Sequence, residues 1–136
     1  METISHECYV SFEVVKLLKE AEFDWKCNGV FLSEDGTQYA FIKSDAACDN
    51  NNSKYNLYNI SAPTLEVAQR WLREIKNVVL LVDFNNDEDC EENERYGVTI
   101  YIAKERIIEL ATYPTYEEAQ EVGIKKAIEI ILEKGE

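Results

Sequence analysis

Six oxygen-bearing side chains fall at the spacing of a calcium loop. Asp83, Asn85, Asp87, Asp89, Glu91 and Glu94 take positions 1, 3, 5, 7, 9 and 12 of a twelve-residue window, the pattern that surrounds a hard cation with carboxylate and amide oxygens. Position 6, where the chain must turn sharply and glycine is needed, is Glu88, and the flanking residues read as strands where such a loop has helices. A dense run of acids meets the template through composition alone, so no metal site is assigned. The segment is read as a solvated connection that like-charge repulsion keeps open and mobile.

Other chemistry is thinly provided for. His6 is the only histidine, near Cys8, so any Ser-His-Asp or Cys-His arrangement would have to run through it, and nothing in the spacing positions a partner. Cys8, Cys27, Cys48 and Cys90 form no C-x-x-C pair. A zinc site drawing on His6, Cys8, Cys27 and Cys48 would therefore lack paired ligand spacing, and the four read as reduced thiols. The phosphate-cradling patterns G-x-x-x-x-G-K-[ST] and G-x-G-x-x-G are absent, and five glycines leave little material for one. With 27 acids, no carboxylate pair stands out for general acid–base work. No catalytic residue and no cofactor are expected.

The charge is unevenly spread. Lys plus Arg number 14 against 27 Asp plus Glu, a net −13. Asp83, Asp87, Glu88, Asp89, Glu91, Glu92 and Glu94 hold seven of the acids, leaving 20 acids against 14 bases elsewhere, or −6. One short segment thus carries over half the net charge. Such a chain repels nucleic-acid phosphates, whose neutralisation supplies most of their affinity for proteins. Tyr39, Phe41, Tyr55 and Tyr58 therefore read as core and cross-strand packing rather than a base-stacking platform.

These residues must be held by a folded scaffold. At 136 residues, with 46% hydrophobic residues and 15 aromatics, the chain has material for one core in one domain, residues 1–136. The longest apolar run, Val78 to Val82, is far below the ~20 residues of a membrane span. The N-terminus lacks a basic region followed by an apolar stretch, so the cytoplasm is the expected compartment.

Val14, Leu17, Leu18 and Ala21 recur at i, i+3, i+4, i+7 after Ser11, which marks a capped first helix. Phe23 and Trp25 should fold back onto the core. Asp35-Gly36, between Val30-Phe31-Leu32 and Gln38-Tyr39-Ala40-Phe41-Ile42, signals a hairpin. Asp45 to Lys54 reads as a loop and Tyr55 to Ile60 as a short strand. Thr64 caps a second helix through Ala68, Trp71, Leu72 and Ile75, ending near Asn77. Val78 to Phe84 is apolar enough to suggest a central strand. Tyr96 to Ala103 alternates as a strand, Ile107 to Ala111 as a shorter one, and a third helix runs from Thr115 to about Glu133. The expected fold is α+β, order αβββαβββα, with antiparallel-rich strands in one layer and helices two and three across one face.

An internal similarity accompanies this order. Ser61-Ala62-Pro63-Thr64-Leu65-Glu66-Val67-Ala68-Gln69 aligns with Thr112-Tyr113-Pro114-Thr115-Tyr116-Glu117-Glu118-Ala119-Gln120 at an offset of 51, with Pro, Thr, Glu, Ala and Gln identical. Each copy follows about three short strands, giving a pseudo-repeat of about 26–77 and 78–133. Part of the agreement is helix-start chemistry: Pro bars backward extension, Thr caps, and Glu suits the positive end of the dipole.

The blocks Glu13-Val14-Val15-Lys16-Leu17-Leu18-Lys19-Glu20, Phe23-Asp24-Trp25, Ala62-Pro63-Thr64-Leu65, Trp71-Leu72-Arg73-Glu74 and Thr115-Tyr116-Glu117-Glu118-Ala119 resemble small uncharacterised proteins of gut Bacteroidales genomes and their phages. The resemblance implies a cytoplasmic accessory role on mobile DNA and brings no catalytic residue; the acidic segment lies outside it. The expected function is a non-catalytic protein-interaction module with a protein partner or a second copy of itself, making no direct contact with nucleic acid or membrane. Contact would run through a sheet edge or through Asp87, Glu88, Asp89, Glu91, Glu92 and Glu94. The alternative is an acidic inhibitor that mimics DNA and occupies the basic groove of a nucleic-acid-binding protein.

Overall fold

A computed structural model describes residues 8–27, 29–43, 59–102 and 106–133. Helix α1 (Phe12–Glu20) starts where the Ser11 side chain accepts a hydrogen bond from the Val14 N–H, satisfying one of the first-turn donors that have no helical partner. Strands β1 (Gly29–Leu32) and β2 (Ala40–Lys43) follow, joined by the Asp-Gly turn. There Asp35 accepts from the Thr37 N–H and hydroxyl at 2.9 and 2.8 Å, and Gly36 takes φ 82°, a left-handed conformation that glycine adopts without steric cost. These bonds hold the Asp35 carboxyl below its usual range, the Thr37 N–H first among them. Strand β3 (Ile60–Ser61) leads into helix α2 (Leu65–Ile75), capped by Thr64.

Strand β4 (Val78–Phe84), a single 3-10 turn (Glu92–Glu94), strand β5 (Tyr96–Ile102), strand β6 (Arg106–Tyr113) and helix α3 (Tyr116–Glu133) complete the chain. The Thr115 hydroxyl accepts from the Glu118 N–H at 3.0 Å, so the two aligned threonines do the same work at the two helix starts. The order is αβββαβββα, a single α+β domain. The Asp45–Lys54 loop and the Tyr55–Ile60 strand lie outside the described residues except for Asn59 and Ile60, as do His6 and Cys48.

Two features depart from the sequence reading. The described strands form two antiparallel three-stranded sheets, ordered β2-β1-β3 and β4-β5-β6, where one layer was expected. And β4 lies at the margin of its sheet, with β5 at the centre. Hydrophobic alternation states which face of a strand is buried, and it is silent on lateral order. The apolar run in β4 reflects something else: its outward residues are apolar as well.

One core joins both halves. Val14, Val15, Leu18 and Phe23 from the first part meet Leu65, Ala68, Trp71 and Leu72 of α2, Val78, Leu80 and Ile100 of the second sheet, and Ile124, Ala127, Ile128 and Ile131 of α3. Phe23 is buried and its ring sits 5.3 Å from that of Trp71 and 6.4 Å from that of Trp25. Helix α3 lies close on the second sheet: a Cβ at Gly123 would stand 2.8 Å from Val98 Cγ2.

Candidate functional site

The second sheet has two unlike faces. Val78, Leu80, Val98, Ile100 and Ile102 point inward and are buried, while the residues between them point out. Register assigns these outward residues to three rows. Val79 pairs with Tyr101 and Tyr101 with Ile107; Leu81 pairs with Thr99 and Thr99 with Glu109. Asp83 pairs with Gly97, whose Cβ direction meets Thr112 Cγ2 at 3.7 Å. The first row is wholly apolar or aromatic, the second mixed, the third polar and acidic, with no side chain at its centre. Ile107 is 65% exposed, Leu81 48% and Val79 38%. Branched apolar side chains clustered like this on an outer sheet face mark a contact surface more often than scattered exposed apolar residues do.

The margins of this sheet differ. Gln120, itself buried, donates from Nε2 to Gln69 Oε1 at 2.7 Å, and Gln69 Nε2 donates to the Leu80 carbonyl at 3.0 Å. This chain runs from α3 through α2 to β4 and occupies an outward backbone acceptor on that margin. Strand β6 forms the opposite margin. Gln69 and Gln120 are the two glutamines that the 51-residue offset aligns. The sequence marks them as matching positions, and nothing in it says that they touch.

The acidic connection between β4 and β5 adjoins the polar end of the face. The Asn85 N–H donates to the Arg95 carbonyl, and Asn85 Nδ2 donates to the Glu94 carbonyl at 3.2 Å, closing the base. Asn85 Oδ1 accepts from the Asp87 N–H and Asp87 Oδ1 from the Asp89 N–H, at 3.1 and 3.0 Å. Glu94 Oε1 reaches back to the Glu91 N–H at 3.1 Å. Arg95 lies over the Phe84 ring at 5.9 Å, and Tyr96 packs edge-on to the same ring. The segment is therefore a series of short hydrogen-bonded turns whose side chains are mostly exposed, so it is the solvated connection that its charge indicates. Side-chain oxygens at short sequence range accept the backbone donors, as Asn and Asp do in turns.

The same geometry places the calcium-patterned residues. Asp83 points from the outer sheet face, while Asn85 and Asp87 already accept backbone N–H bonds. Among the described residues, no three His, Cys, Asp or Glu side chains converge to hold a metal ion. Asp87, Glu88, Asp89, Glu91, Glu92 and Glu94 are all exposed. Of the cysteines, Cys8 is exposed and Cys90 half-buried; burial pushes the Cys27 thiol up to about 12, so it stays protonated and a poor nucleophile. Among the described residues, no helix is long and apolar enough to cross a membrane.

No protein-family model matches the chain, and comparisons with curated proteins and with solved structures also return no match. The fold thus defines the class at the level of an α+β domain whose second sheet has an exposed outer face among the described residues.

Proposed function

We propose that this protein is a non-catalytic interaction module that binds another protein through its second sheet. The observation that carries the reading is the outward row Val79, Tyr101 and Ile107, extended by Leu81, on strands whose inward residues already fill a core. Leaving branched side chains in water forgoes roughly 25 cal/mol for each Å² that burial would remove, and a partner recovers it. A cytoplasmic accessory role on phage or other mobile DNA belongs to the same proposal and rests on the sequence resemblance alone.

A second reading, an acidic inhibitor that competes for a basic groove, is favoured by one feature. The connection at residues 85–95 is tied by its own hydrogen bonds, with the carboxylates of Asp87 and Glu94 among the acceptors, which gathers its exposed acids on short turns. Affinity purification from a gut-bacterial lysate at low and moderate salt tests both readings, with intact protein beside a variant whose residues 86–93 are replaced by a Gly/Ser turn. A partner that untagged protein competes away, and that survives moderate salt and loss of the segment, supports the sheet. A partner lost with the segment and weakened by salt supports the inhibitor. Enrichment of nothing above control overturns both.

A further inference from the structure

We infer that the outer face of the β4-β5-β6 sheet docks a protein segment carrying an apolar anchor at one end and lysine or arginine at the other; this rests on the interaction reading above and names the partner's chemistry.

The rows are graded along the strands. Val79, Tyr101 and Ile107 make an apolar end; Leu81, Thr99 and Glu109 follow; Asp83, Gly97 and Thr112 close the series, and the acidic connection begins just beyond Phe84. From Val79 to Asp83 is four residues, about 13 Å along a strand. Gly97 puts no side chain between Asp83 and Thr112, so an incoming group can settle beside the Asp83 carboxylate. A complementary segment carries its branched or aromatic residue about 13 Å from its cation, which is four residues of extended chain. Glu109 in the middle row and the exposed acids of the connection add to the field that a cation meets.

Charge also selects among occupants. A second copy would bring another chain of −13 against this one, and like charges brought together in an interface oppose association. An extended basic segment has no such conflict.

Selection from a displayed library of random fifteen-residue peptides, run on the full chain, tests this. Enriched peptides should carry an aliphatic or aromatic residue four positions from Lys or Arg. They should bind Val79→Thr/Ile107→Thr at least tenfold more weakly than the intact protein, and Asp83→Asn/Glu109→Gln more weakly with a flatter salt dependence. All four substitutions fall on exposed positions, and matching circular dichroism spectra and melting temperatures show that each variant folds. Peptides that bind the Val79→Thr/Ile107→Thr variant equally well would overturn this face while leaving the interaction reading intact. Enrichment without basic residues would overturn the assigned chemistry. No enrichment at all would overturn both. A dimer in sedimentation equilibrium that Ile107→Lys dissociates would show that a second copy is the occupant and overturn the basic segment.

Discussion

The two faces of the second sheet are built from alternate residues of the same strands and have opposite fates. Inward, Leu80, Val98 and Ile100 are closed under α3, whose Gly123 leaves no room for a methyl group against Val98. Outward, Val79, Leu81, Tyr101 and Ile107 have no element of the described chain packed over them and grade into acid. Apolar residues one position apart, about 3.8 Å between Cα atoms, thus have different surroundings: one set holds the domain together and the other is exposed. Substitutions on the two faces should separate stability from binding.

The inner face should respond most. Ile100→Ala empties a fully buried position and is expected to cost about 3 kcal/mol, read as a drop in the denaturant midpoint. Gly123→Ala comes next. Alanine ordinarily favours a helix over glycine by about 1 kcal/mol, but the crowding against Val98 costs about 1–3 kcal/mol. Chemical denaturation should show a net loss near 1 kcal/mol; a gain would mean that α3 sits further from the sheet. Thr115→Ala removes the acceptor for the Glu118 N–H and should cost about 1 kcal/mol. On the outer face, Val79→Thr/Ile107→Thr should shift stability by less than about 0.5 kcal/mol, and a large loss there would show that the face is structural after all.

The smallest effect lies away from the sheet. Lys125 Nζ donates to Glu13 Oε1 at 2.8 Å, between α3 and α1. That hydrogen bond, then the lysine's charge, holds the Glu13 carboxyl below its usual range. The pair contributes stability above the pKa of an unfolded glutamate, and the contribution fades as pH falls through the lowered value. Because both groups are exposed, salt should weaken it. A carboxyl titration by NMR should place Glu13 back in the ordinary range in Lys125→Met.

Much of the fold was legible in the residues. Ser11, Thr64 and Thr115 announce the helix starts, Asp35-Gly36 the hairpin, and the 3.6-residue spacing of Ala68, Trp71, Leu72 and Ile75 the second helix; together they give the αβββαβββα order. Lateral order was not legible. Pairing β1 with β3, and splitting the strands into two sheets, depends on long-range contacts that alternation does not encode. The apolar stretch Val78 to Phe84 therefore points to a central strand, when it marks a margin with an exposed face. The turns of the acidic segment had a signal that charge density hid. Asn85 and Asp87, each two residues before the N–H it accepts, and Glu94, three residues after Glu91, are familiar turn and cap spacings.

Mapping amide shifts of the isotope-labelled full chain on titration with an enriched peptide tests the central claim most directly. The perturbed residues should be Val79, Leu81, Thr99, Tyr101 and Ile107, with Asp83 and Gly97 responding to the peptide's basic end. Perturbation confined to α1 and β2, with the second sheet unmoved, would contradict it.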